Sequence, residues 1–160
     1  ISIDQIAHPV VVVNPMLEVV VMNNKARNLL GAINPETNSE RSSFISIFQQ
    51  PFAKQLLSNW DYYTASMVSG IKVTYAMLPG WRAYIDERSQ FLAENDAYFR
   101  ELWLQDDPLV PPTLDKFFNH PKVGTLHLKQ ILTDIIEIPG LTKVEFLPSD
   151  DITRTRLGQL

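Results

Sequence analysis

"HPVVVVNPMLEVVVMNNKARNLLG", His8 to Gly31, carries the decision about fold class. Two β-branched runs, Val10 to Val13 and Val19 to Val21, flank Asn14 and Pro15, a pair favoured in turns, so the stretch reads as two short strands joined tightly. The first run is apolar at every position, which predicts a strand buried on both faces and therefore central in its sheet. Directly after the second run, Asn23 or Asn24 can cap a short helix. Leu29 and Leu30 supply its apolar side, and Gly31 sits where a helix ends.

Outward from there, "NPETNSERSS" is a polar connector, and Phe44, Ile47 and Phe48 after it are spaced for one helical face. From Phe52 the apolar positions 52, 56, 60, 63 and 67 step by three or four, which predicts a long amphipathic helix running to about Leu78. Pro79 and Gly80 break it, and Trp81, Tyr84, Ile85, Arg88, Phe91 and Leu92 begin another helical face. A cap at Asn95 or Asp96 precedes "AYFRELWLQ", with Phe99, Leu102 and Trp103 on one side, and "DDPLVPP" ends the helical half. The last third reads as strands, turning at Pro121 to Gly124 and again at Pro139 and Gly140. The expectation from these elements is an α/β (α+β) domain, and strand, turn, strand, short helix is the order in which a PAS-like domain begins.

A chain of 160 residues with 45% hydrophobic content supports one core, so residues 1–160 are expected to form a single domain. Its first residue, Ile1, suggests a piece of a longer protein. Net charge of −4, with the basic residues scattered, argues against direct contact with nucleic acid. The lack of cysteine excludes disulfides and thiolate chemistry, and no apolar run approaches a membrane span, so a cytoplasmic setting is expected.

"FFNHPKVGTLHLKQ", Phe117 to Gln130, holds His120 and His127, which invites a metal or catalytic reading. Strand alternation argues against it: Leu126 and Leu128 face the core, while His127 shares the opposite face with Thr125 and Lys129. The acid pairs Asp86/Glu87, Asp106/Asp107 and Asp150/Asp151 suit capping or solvation, because neighbours on a helix point apart. No phosphate loop, nucleophile elbow or zinc-binding helix is present. An enzyme, a metal and a cofactor are therefore not expected.

More informative is the aromatic and flexible apolar material of the helices, including Phe48, Phe52, Trp60, Tyr63, Met67, Tyr75, Trp81, Tyr84, Phe99 and Trp103. It exceeds what a thin helix-on-sheet layer requires, which points to a ligand cavity between the two. The candidate ligand-binding residues are Met22, Phe48, Trp60, Tyr63, Met67, Tyr84 and Trp103.

Phe118, His120, Pro121, Val123, Gly124, Leu126 and Leu128, with "FRELW" at Phe99 to Trp103, Asn23, Ala26, Leu29, Leu30 and Gly31, and Arg41 through Phe48 to Pro51, follow one known order and spacing. In these the chain resembles the PAS-like ligand-binding domain of MmyB-like transcription regulators. It departs at Met22, where the family often has Trp, and at Gln105, Asp106 and Asp107, where the family often has a basic or His-containing segment. The resemblance implies a PAS-like fold, an antiparallel sheet of about five strands with the first and last in the middle, covered on one face by four or five helices. It also implies a sensor of a small apolar ligand, a fatty acid by family precedent, joined to an N-terminal helix-turn-helix that contacts DNA, and acting as a homodimer. A carboxylate head group would need donors, and Arg41, Arg82, Arg88 and the tyrosines are candidates. The rival readings are a ligand-free structural or dimerisation module and a small enzyme on a PAS-like scaffold.

Overall fold

The computed structural model describes residues 3–30, 54, 57–106 and 108–160. Strands β1 (Val10–Val13) and β2 (Val19–Met22) form where the valine runs predict them. Between them the Asn14 side-chain carbonyl accepts hydrogen bonds from the amides of Met16 (2.9 Å) and Glu18 (3.1 Å), so a side chain shapes the turn. Helix α1 (Asn24–Leu30) follows. Asn23 is its cap, accepting from the Ala26 amide at 2.9 Å, and the same oxygen takes the Val10 amide at 3.0 Å. Its amide group donates to the carbonyls of Ile3 and His8, so one buried side chain ties the chain start, β1 and α1 together.

Helix α2 (Trp60–Met77) ends where Pro79 predicts, and begins later than expected. Leu57 makes a lone β-bridge to Phe118, the Ser58 amide bonds the Phe117 carbonyl, and Asn59 takes a left-handed conformation at φ 57°. Docking against strand backbone thus ends the continuous helical run expected from Phe52; Phe52 itself, Phe48 and Arg41 lie outside the described residues. Helix α3 (Arg82–Asn95) and helix α4 (Ala97–Leu104) follow, the latter capped by Asp96, whose carboxylate accepts from the Phe99 amide at 2.7 Å.

Strands β3 (Asp115–His120), β4 (Gly124–Asp134) and β5 (Thr142–Pro148) complete an antiparallel sheet in the order β2-β1-β5-β4-β3. β1 is central and buried throughout, as its apolar run requires. The first and last strands pair in the middle, which is the expected PAS-like arrangement. A final helix, α5 (Asp151–Gly158), was not foreseen; Asp150 caps it by accepting from the Thr153 amide at 2.7 Å. Capping is one of the two roles that suit the acid pairs, and Asp150 takes it.

On the inner face, Val11, Val13, Leu126, Leu128, Val144 and Phe146 meet Leu29, Tyr63, Ile71, Ile85, Phe99 and Leu157 of the helices in one core. Gly140, at φ 102°, has no room for a side chain, because a Cβ there would meet the Trp81 indole at 2.2 Å. The Trp81 indole N–H donates to the Pro139 carbonyl at 2.8 Å, which pins the β4–β5 turn to the helical layer.

Candidate functional site

β alternation places Lys116, Phe118, Leu126, Leu128, Gln130, Leu132, Val144 and Phe146 on the inner face. Most are sealed by the helices. Between α2 and the sheet, however, an apolar cavity of about 140 Å³ remains, lined by Val13, Leu17, Tyr63, Ser66, Met67, Gly70, Pro112, Thr113, Lys116, Gln130, Leu132 and Val144. Gly70 helps to open it, since a Cβ added there would meet nothing within 4 Å.

The cavity's polarity is uneven. Val13, Leu132 and Val144 stand at one end, while Lys116 and Gln130 are diagonal neighbours on β3 and β4, Lys116 lying opposite Leu128. The Lys116 ammonium lies 5.3 Å from the Tyr63 ring centre and 5.5 Å from that of Phe146. Burial of the amine lowers its pKa to about 8, although the residue as a whole keeps some solvent contact. The Tyr63 hydroxyl donates to the Asp115 carbonyl at 2.5 Å, fixing the ring beside that amine. Gln130 is 8% exposed and lines the cavity.

Past the apolar end lies a more open groove of about 380 Å³, lined by Val73, Thr74, Met77, Leu78, Asp134, Ile135, Ile136, Pro139, Gly140 and Thr142. It lies next along the same elements: Val73 is one turn after Gly70 on α2, and the facing pair Asp134 and Thr142 is one step beyond the facing pair Leu132 and Val144. From Gln130 to Asp134 the path along β4 is roughly 14 Å at the usual strand rise.

Of the residues singled out from sequence, Tyr63 and Met67 meet at this cavity. Met22 pairs with Val11 and is packed in the core. Trp60 is buried against Tyr98, with ring centres 4.7 Å apart. The Tyr84 hydroxyl donates to the Glu18 carboxylate, and burial raises its pKa first, helped by that bond. Trp103 stacks on Phe99 and borders a shallow depression on α3 and α4. Neither described arginine candidate reaches the cavity: Arg82 donates to the carbonyls of Tyr75 and Ala76, and Arg88 lies over the Tyr84 ring.

The histidines take no part in the cavity. His127 points to the outer face, where it stacks on Phe117 and bonds Asp115 at 2.9 Å, with Asp150 at 4.0 Å. Asp115 and Asp150 are about half exposed, so these are weak surface pairings. His120 is buried instead of lying in the turn, and burial lowers its pKa against the opposing pull of the Asn28 backbone. Among the described residues, no group of three or more His, Cys, Asp or Glu could hold a metal, and no helix is long and apolar enough to cross a membrane.

The sheet runs in the order 2-1-5-4-3, and the helices that cover it leave an apolar cavity against it. The chain belongs to the MmyB-like transcription regulator ligand binding domain family, whose model matches residues 3–160. It is thus a ligand-sensing domain of a transcription regulator. No curated protein matches the chain.

Proposed function

We propose that this domain binds a small apolar ligand, a fatty acid, in the cavity between α2 and the sheet, and that its tail runs on into the adjoining groove. The supporting observation is the end-to-end placement of an apolar cavity and an apolar groove along one helix and two strands. Each buried methylene contributes roughly 0.8 kcal/mol, so a dozen can outweigh the cost of immobilisation. In the full-length regulator, a cytoplasmic homodimer, occupancy would alter how a pair of helix-turn-helix domains is held on DNA. That requires unequal ligand affinity for the two arrangements, since equal affinity shifts nothing.

A ligand-free dimerisation module is the rival, favoured by the small enclosed volume of about 140 Å³. A cavity of roughly 150 Å³ takes a single aromatic ring, so a long chain needs the groove as well. Native mass spectrometry of gently purified protein, followed by lipid extraction, separates the two. An apolar adduct, displaced by added tetradecanoic acid, is expected. Protein that carries nothing and takes up none of the added acid supports the module.

A further inference from the structure

We infer that the turn between β1 and β2 is a gate on the cavity, with Leu17 as the part that blocks it and the bond from Tyr84 to Glu18 as its latch. The inference rests on the apolar-ligand reading and adds to it a control over how fast a ligand enters and leaves.

The turn leaves β1 at the boundary of cavity and groove. Val13, the last residue of β1, lines the cavity, and Thr142, paired with it on β5, lines the groove. From the turn that follows, Leu17 lays its side chain back onto the cavity. It does so at φ 60°, a left-handed backbone that leucine rarely adopts. Such a conformation persists only where the surroundings impose it, and it gathers at ligand clamps and switches. Part of the hold lies within the turn: the Leu17 amide donates to the Asn14 carbonyl at 2.8 Å, and the Asn14 side chain accepts from the amides on either side, those of Met16 and Glu18. Met16 is fully buried and serves as the pivot.

The rest of the hold comes from α3. The Tyr84 hydroxyl donates to the Glu18 carboxylate, next to Leu17, and lies 3.5 Å from the Asn14 amide nitrogen. Among the described residues, no other side chain outside the turn hydrogen-bonds to it. Tyr84 packs edge-on against Trp81, with ring centres 5.6 Å apart, and the Trp81 indole donates to the Pro139 carbonyl at the groove. One aromatic pair at the start of α3 therefore holds the turns on both sides of the boundary. Releasing the hydroxyl from Glu18 lets Leu17 relax from its left-handed conformation and swing off the cavity wall.

A gate is a barrier crossed in both directions, so loosening it speeds entry and exit alike and leaves affinity in place. Loss of an ordinary contact shows mainly in the exit rate. The test is stopped-flow binding and release of cis-parinaric acid, a slender fluorescent fatty acid, by the wild-type chain, Tyr84→Phe, Glu18→Gln and Tyr75→Phe. Tyr84→Phe keeps the ring against Trp81 and Arg88 and removes only the hydroxyl. It is expected to raise both rates about tenfold, as for loss of one hydrogen bond to a charged group, with affinity within about twofold of wild type. Glu18→Gln weakens the same bond from the turn's side and should raise both rates by a smaller factor. Tyr75→Phe removes a like bond, to Asp86 at 3.3 Å, from a residue that does not line the cavity, and should leave both rates unchanged. Urea unfolding shows that each variant is folded. Unchanged rates in Tyr84→Phe, a rise confined to release, or an equal rise in Tyr75→Phe overturns the gate and leaves the cavity standing. If cis-parinaric acid does not bind wild type, the apolar-ligand reading fails and the gate falls with it.

Discussion

The inner face of the sheet is closed at one end and open at the other. At the closed end, Leu126 and Leu128 are fully buried, the Asn23 side chain makes four hydrogen bonds, and the Lys25 and Asn28 side chains of α1 bond the carbonyls of Leu157 and Leu160. At the open end the same alternation continues through Leu132, which is 46% exposed, to a groove rimmed by Met77 at 72% and Ile136 at 89%. Strand pattern is therefore common to both ends. What differs is the covering layer: at the open end α2 offers Gly70 and flexible Met67, and large side chains are replaced by space.

The largest contrast should come from truncating one leucine at each end. Leu126→Ala is expected to cost about 2–5 kcal/mol and Leu132→Ala under about 1 kcal/mol in urea unfolding, because only the first leaves a sealed void. Equal losses would erase the distinction. Gly140→Ala should cost about 2–3 kcal/mol, from its positive φ and the collision with Trp81 that holds the groove's turn in place.

Lys116→Met should stabilise the protein by about 1–2 kcal/mol at pH 7, less the lost ring contacts, by removing a desolvated ammonium. The sign follows from the protons bound. Between about pH 8 and the unfolded value of 10.5, the unfolded chain holds the proton that the folded one has lost, so wild-type stability rises there and the gap to the variant closes. Chemical unfolding from pH 7 to 10.5 checks this, and a gap that widens with pH would refute it. The smallest effect is that of Gly70→Ala, about 1 kcal/mol or less of stabilisation from helix propensity, since its new methyl meets nothing.

Much of the fold was legible because valine runs, turn pairs and caps act locally: β1, β2, the Asn23 and Asp96 caps and the end of α2 all lie where the residues point. The start of α2 was not legible, because Leu57 is held by a strand some sixty residues away and no local pattern announces that. Helix α5 was missed for a different reason: its polar sequence buries only Thr153 and Leu157, although Asp150 ahead of Thr153 was a readable cap. Of the cavity lining, the choice of aromatic and flexible apolar residues included Tyr63 and Met67 but not Lys116 and Gln130. Alternation from Phe118 and Leu128 would have turned both inward, and a lysine or glutamine on a core face was the available signal.

The four methionines give the most direct test of the claim that the open end is the ligand site. Met67 lines the cavity, Met77 the groove, and Met22 is packed beside Val11 in the core. In a methyl-labelled sample titrated with tetradecanoic acid, the account predicts large shifts of the Met67 and Met77 signals and a nearly stationary Met22. A shift at Met22 without one at Met67, or no shift at any of them, would contradict it.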